Sequence, residues 1–160
     1  MENNAALRAQ LIRLLDWEDA HVNLDRAVSN LAPADRGRAP SDSPHTAWQL
    51  LEHLRLTQRD ILDFCRNPDY EMPDWPVDYW PPLTTPEDDA AWSASIDALK
   101  ADRKEFAKLI RDEAVDLFAT IPHGTGQTYL REILLVVDHS SYHVGQLVSL
   151  RRQLGAWPEE

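Results

Sequence analysis

Residues 128–154, TYLREILLVVDHSSYHVGQLVSLRRQL, carry most of the information about the architecture of this chain. Their apolar residues recur at helical spacing, which predicts one amphipathic helix over the whole stretch. Gly155 follows as a residue suited to the left-handed turn that ends many helices. His139 and His143 lie four residues apart in this helix, so both imidazoles project from one face about one turn apart.

Three further segments have the same periodicity, and almost nothing alternates as a β-strand would. The sequence predicts helices over about 4–31, 43–67 and 85–111. Ser43-Pro44 and Thr85-Pro86 are predicted helix starts, because a hydroxyl cap followed by proline loses no backbone hydrogen bond. Four amphipathic helices predict an all-α, four-helix bundle, since fewer packed helices would leave apolar faces uncovered.

Residues 67–86, between the second and third predicted helices, form a long connection rich in proline and aromatic residues. The six prolines exclude a regular helix or a central strand. The four aromatic residues are costly to leave in water. We therefore predict an ordered, extended loop that lies over the helices as a flap; a disordered linker is the alternative interpretation. The aromatic residues are Tyr70, Trp75, Tyr79 and Trp80.

Composition narrows the range of partners and compartments. The chain has 160 residues, a length typical of a single domain over 1–160, and a formal net charge of −11. So acidic a surface repels phosphate groups, which argues against nucleic acid and anionic membranes as partners. No apolar run approaches the roughly 20 residues of a membrane-spanning helix, and the first residues do not resemble a signal peptide. The single cysteine, Cys65, cannot form an internal disulfide and is predicted to be a packed thiol, so we expect a cytoplasmic protein.

Three histidines are candidate metal ligands. His53 lies in the middle of the second predicted helix among aliphatic residues, where an unsatisfied imidazole would be costly. A bundle can bring it opposite His139 and His143. Three neutral imidazoles plus water would form an open divalent-metal site of the catalytic type. The alternatives are a hydrogen-bonded or solvent-facing pair on the fourth helix and a satisfied core histidine on the second.

Other polar residues have less specific predicted roles. His21 falls on the inner face of the first predicted helix, between Glu18 and Asp25. It either lines the metal pocket and transfers protons, or is a structural histidine paired with a carboxylate. Tyr142 and Gln146 are candidates for contacts with the ligand histidines or with a substrate.

Three more residues have structural predictions. His45 and His123 are predicted to cap turns or to face solvent. Gly145, in the middle of a helix, is predicted to mark a close contact between helices, within or between subunits.

Two segments resemble the DinB-like family of metalloenzymes, also written DinB/YfiT-like. WQLLEHLR at 48–55, followed by ILDF at 61–64, is similar to the second helix of that family. DHSSYHVGQL at 138–147 is similar to its fourth helix and is the most specific element. Ala20-His21 and the loop ending at Tyr79-Trp80-Pro81 extend the resemblance over nearly the whole chain.

The resemblance implies an up-down-down-up bundle with a divalent ion, zinc or nickel, held by His53, His139 and His143. It also implies a metal-dependent enzyme acting on a small molecule, with transfer of a low-molecular-weight thiol as the first expectation and hydrolysis as the second. A homodimer is a further expectation. The alternatives are a non-catalytic stress-response protein that binds a metal or a small ligand, and a packed core in which the histidines have only a structural role.

Overall fold

The computed structural model describes residues 2–16 and 20–158. These residues form six α-helices and a short 3-10 helix, and they contain no β-strand apart from an isolated bridge between Thr120 and Thr128. The predicted all-α class is confirmed. The α-helices are α1 (Glu2–Leu14), α2 (Leu24–Val28), α3 (Pro33–Arg36), α4 (Ala47–Arg66), α5 (Asp89–Arg111) and α6 (Tyr129–Gln153), and the 3-10 helix is Val77–Tyr79.

The core lies where the long helices meet. Helix α4 packs against both α5 and α6, and α1 packs against the same two helices. One buried cluster joins α2, α4, α5 and α6, with Leu51 and Leu147 fully buried in it. A second cluster joins α1, α4, α5 and α6 around Phe106 and Ile133. None of the described helices combines the length and apolar character needed to cross a lipid bilayer.

The predicted first helix over 4–31 is wrong. Helix α1 ends at Leu14, and α2 begins only at Leu24. Asn23 has extended backbone angles, and its side chain accepts a hydrogen bond from the Arg26 amide, so it begins a new helix. Apolar periodicity alone does not separate one long helix from two pieces that pack on the same core. The segment between the first and second predicted helices also contains a short helix, α3. Glu18, predicted to flank His21, lies outside the described residues.

Two predicted helix starts are also wrong, each by a few residues. Helix α4 begins after Thr46, because Thr46 and Gln49 form a reciprocal capping box. The Thr46 hydroxyl also donates to the backbone oxygen of Thr84, which ties this start to the segment before α5. Helix α5 begins after Asp88, whose carboxylate accepts a hydrogen bond from the Ala91 amide.

The predicted ends of the second, third and fourth helices are confirmed. Helix α4 ends at Arg66 with Asn67 as its C-cap, α5 ends at Arg111, and α6 ends one residue before Leu154. Gly155 has a φ of +68°, the left-handed conformation expected of a residue that follows a helix. Local sequence therefore specified the ends of the long helices better than their starts.

A buried arginine secures the end of α5 to another helix. Arg8 of α1 donates to the backbone oxygens of Ile110, Asp112 and Val115, at and beyond the end of α5. The oxygen of Ile110 lies in the last turn of α5, where backbone oxygens lack amide partners within the helix. The Arg8 side chain thus links α1 to the end of α5.

Candidate metal centre

Three histidines from two helices meet at one point. Nε2 of His139 lies 3.2 Å from Nε2 of His53 and 3.1 Å from Nε2 of His143. The three ligand atoms all lie within 4.8 Å of one another, and among the described residues no other His, Cys, Asp or Glu group has this geometry. His53 comes from α4, whereas His139 and His143 are one turn apart on α6. The structure thus brings together the three histidines that the sequence singled out.

Hydrogen bonds on the far side of two rings indicate their tautomers. Nδ1 of His53 is 2.7 Å from the backbone oxygen of Tyr79, and Nδ1 of His143 is 2.6 Å from Oε1 of Gln146. A carbonyl oxygen can only accept, so each Nδ1 carries the proton. Each Nε2 is then unprotonated, and its lone pair is directed at the centre of the cluster.

His139 has a weaker contact of the same kind. Its Nδ1 is 3.4 Å from Oγ1 of Thr57. The single hydroxyl hydrogen of Thr57 is donated to the backbone oxygen of His53 at 2.7 Å, so Oγ1 is left to accept from the ring. All three Nε2 lone pairs therefore face one another. Lone pairs at this separation repel one another unless a cation lies between them. Three converging Nε2 atoms are the donor set of a divalent-metal site.

The imidazoles have the protonation state that metal binding requires. Burial, together with the charges of neighbouring histidines, lowers the pKa of His139 and of His143 to about 4. Burial likewise lowers the pKa of His53, which is only 2% exposed. At neutral pH the three rings are uncharged, and neutral imidazole is the form that binds metal ions.

The aromatic loop covers the cluster from one side. The ring of Trp80 stacks on His53, with 3.9 Å between ring centres and an angle of 3° between the planes. His45 stacks on Trp80 at 3.9 Å and 16°. Tyr79 and Trp80 therefore lie over the helices, as predicted for the loop, whereas Trp75 of the same loop is 69% exposed. His45 was predicted to be a cap or exposed, and its place in this stack is a feature that sequence reasoning missed.

Asp60 of α4 anchors the same loop. The hydroxyl groups of Tyr70 and Tyr79 donate to its two carboxylate oxygens at 2.7 and 2.8 Å. Burial, with the hydrogen bond to Asp60 and its charge, raises the pKa of Tyr79 to about 12, so this hydroxyl stays protonated and continues to donate. The anchor holds Tyr79 where its backbone oxygen meets His53. The positions of Asp60, Tyr70 and Tyr79 follow no characteristic spacing, so the sequence did not predict these hydrogen bonds.

Tyr142 and Gln146 stand beside His143. The Gln146 amide nitrogen donates to the Tyr142 hydroxyl at 3.2 Å, while its oxygen binds the His143 ring. The Tyr142 ring also makes an edge contact with that of His143, and its side chain is 64% exposed. Gln146 is therefore placed to orient a ring of the cluster, and Tyr142 to meet a molecule arriving from solvent.

His21 lies elsewhere. It is exposed, sits between α1 and α2 rather than within a helix, and its Nδ1 is 2.8 Å from the backbone oxygen of Val22. It lines an apolar cavity together with Ser140 and Val144, and none of the three clustered histidines lines that cavity. The predicted inner helical face for His21 is wrong because the chain leaves helical geometry between α1 and α2.

Three smaller predictions have different outcomes. Cys65 is buried, and burial raises its thiol pKa to about 12, so it is a packed thiol as predicted. A methyl group added at Gly145 would meet no described atom within 4 Å, so the predicted close contact within the subunit is absent among the described residues, and the contact between subunits stays a prediction. His123, which binds the Phe64 backbone oxygen through Nε2 at 2.7 Å, belongs to the turn before α6.

An all-α protein with three inward-facing histidines on two of its long helices is typical of a class of small metal-binding proteins. The family model of the DinB superfamily matches residues 16–147, which include every residue of the cluster. The chain belongs to the DinB superfamily, as the resemblance indicated. No curated protein and no solved structure matches it.

Proposed function

We propose that this protein binds one divalent metal ion through Nε2 of His53, His139 and His143 and uses it to transform a small molecule. The observation that carries the proposal is the convergence of three lone pairs whose rings are each held from behind by a hydrogen-bond acceptor. Membership of the DinB superfamily is compatible with this role.

The donor set is compatible with several metals. Three imidazoles suit zinc and nickel, the two ions that the resemblance implies, as well as copper and iron. When bound, such an ion supplies Lewis acidity, which lowers the pKa of a water molecule or a thiol in the remaining position. Thiol transfer is the first proposed reaction and hydrolysis the second, with a low-molecular-weight thiol as the preferred substrate class.

The chain's own residues prepare the site for that chemistry. The Tyr79 backbone oxygen, Gln146 and Thr57 keep each Nδ1 protonated and hold the rings in one orientation. Trp80 covers His53 and excludes water from that side. Tyr142, which is largely exposed, is the proposed contact for the substrate.

The proposed arrangement of the four long helices is the up-down-down-up bundle, in a single domain that spans the chain. The packing of α4 against α5 and α6, and of α1 against the same pair, supports it. The homodimer implied by the resemblance stays a prediction.

Metal analysis of protein purified without a histidine tag tests the binding proposal. We expect about one zinc or nickel ion per chain, lost in His139→Ala, because a site with two imidazoles holds the ion far less tightly. The matched control is His21→Ala, which also removes one imidazole but lies outside the cluster and should keep the ion. Wild-type protein without bound metal after growth and dialysis with zinc or nickel would overturn the proposal.

Activity is tested separately on the metal-loaded protein. Glutathione-type thiols with an electrophilic acceptor test transfer, while ester and amide substrates test hydrolysis. Turnover that disappears on chelation and in His139→Ala would support an enzyme. If His21→Ala keeps its metal but loses turnover, the predicted proton-transfer role of His21 gains support. Absence of turnover in every assay, with metal bound, would favour the non-catalytic binding protein.

A further inference from the structure

A cavity of about 280 Å³ is lined by residues of α1, α2, α4, α5 and α6, and none of the clustered histidines is among them. Most of its described lining is aliphatic, with Leu14 of α1, Leu24 of α2, Leu99 of α5 and Val144 of α6 among the contributors. A concave apolar site with a few polar groups at one end is the usual form of a small-molecule site.

A basic groove of about 350 Å³ adjoins this cavity. The two share Leu15, Asp16 and Arg103, so the cavity and the groove lie side by side. All three lysines of the chain, at positions 100, 104 and 108, line the groove on one face of α5, together with Arg111. In a protein with a net charge of −11, this face is an isolated concentration of positive charge.

Arg103 stands at the junction of cavity and groove. It is only 7% exposed, and its Nη1 pairs with Asp16. Its Nη2 is 3.6 Å from Asp25 and, among the described residues, has no hydrogen-bond partner. A buried guanidinium with an unused donor is costly, and an incoming anion would supply the missing acceptor.

The charges that line the groove indicate whether it binds an anion or a cation. Asp25 is shared between Arg103 and Lys100, which lies 3.4 Å from it, and Lys108 pairs with Glu105. Lys104 is exposed and faces the groove without an ion pair among the described residues. Among the described residues that line the groove, five cationic side chains accompany two carboxylates, Asp16 and Asp25, so positive charge is in excess.

We propose that the cavity and groove together bind a small amphipathic anion, with its apolar chain in the cavity and its carboxylate between Arg103 and Lys104. This site is separate from the histidine cluster, and its ligand needs no metal. An aliphatic chain suits the apolar part of the cavity, because the apolar side chains that line it are all aliphatic.

Isothermal titration with three eight-carbon probes tests the proposal near neutral pH. Octanoate, octanol and octylammonium share one chain and differ in charge. We expect saturable one-site binding of octanoate, binding of octanol weaker by roughly tenfold, and no binding of octylammonium, because the groove attracts anions and repels cations. Absence of saturable octanoate binding, or octylammonium binding equally well, would overturn the proposal.

Variants locate the two ends of the ligand. Lys104→Glu should weaken octanoate binding by roughly three- to tenfold and leave octanol unchanged. Arg152→Glu changes the net charge equally but lies outside the groove, so it should have no effect. Ser141→Phe and Val137→Phe fill the cavity from α6 and should abolish binding of both probes. If one of these cavity variants does not fold, Lys104→Glu, at an exposed position, still tests the proposal. Equal weakening of octanoate binding by Lys104→Glu and by Arg152→Glu would contradict it.

The metal-site variant distinguishes this proposal from the proposed function. His139→Ala should lose its metal and still bind octanoate with wild-type affinity. Loss of octanoate binding in His139→Ala, with the fold retained, would place the anion at the histidine cluster and overturn the separate site.

Discussion

Each imidazole of the cluster is held by an acceptor from a different part of the chain. His53 uses a backbone oxygen of the loop, His143 uses a side chain one turn further along its own helix, and His139 uses a hydroxyl of the opposite helix. The spacing of His139 and His143 is a local property and could be predicted. The acceptors behind the rings could not, with the exception of Gln146, because they depend on the path of the chain.

We expect the metal-free protein to lose stability as the pH falls from about 6.5 to about 4. Burial lowers the folded-state pKa of His139 and His143 to about 4, below the ordinary value of about 6.5. Between these values the unfolded chain binds protons that the folded chain does not, so the free energy of unfolding decreases with falling pH. Their contribution is fully present above about pH 6.5.

Urea unfolding of chelator-treated protein at about pH 7.5 and about pH 5 measures this effect. The double variant His139→Gln, His143→Gln has no titrating ring at either position and is the control. Its stability should change less over this range than that of wild type. An equal loss of stability in both proteins would contradict the assigned pKa values.

The helices illustrate which local signals are dependable. Thr46 and Gln49 fit the capping-box pattern, so the start of α4 was legible in the sequence, yet Ser43-Pro44 resembles a helix start as well. Two adjacent signals of similar strength cannot be ranked without knowing what else each residue contacts. In the structure Thr46 has a second partner, the Thr84 backbone oxygen, which supports the later start.

We expect Gly145→Ala to stabilise the protein by up to about 1 kcal/mol. The residue is exposed in the middle of α6, and a methyl group there meets no described atom within 4 Å, so only the gain in helix propensity remains. Equilibrium unfolding in urea measures it. Gly155→Ala is a control of opposite sign, because a φ of +68° strains any residue with a Cβ. Destabilisation by Gly145→Ala would instead support a contact between subunits at this face.

Across the whole molecule, Arg151 connects α6 to α2 and to the end of the chain. It is fully buried and donates to the backbone oxygens of Ala27 and Ser29, at the end of α2, and of Ala156. Its guanidinium also lies 5.1 Å from the centre of the Trp157 ring. A cation in the last turn of α6 is locally favourable, but the contacts of Arg151 are mainly tertiary.

Arg151→Met should destabilise the protein by about 2–4 kcal/mol, because it leaves buried backbone oxygens without donors. Arg152→Met is the matched control: it also contacts Trp157, at 5.7 Å, but is exposed, and we expect a change within about 0.5 kcal/mol. Thermal or urea unfolding compares the two. Equal effects would mean that the hydrogen bonds of Arg151 contribute little to stability.

The amino-acid order alone was enough to establish the all-α class, the ends of the long helices and the pairing of His139 with His143. Periodicity, caps and four-residue spacing act between neighbours in the chain, so they can be read locally. Folding in three dimensions settled the break between α1 and α2, the stack of His45 on Trp80 and the acceptor behind His53. Tertiary contacts join residues that are distant in the sequence: His53 and Tyr79 are 26 positions apart, and His53 and His139 are 86 positions apart. Their formation depends on the packing of whole helices, which no local pattern encodes.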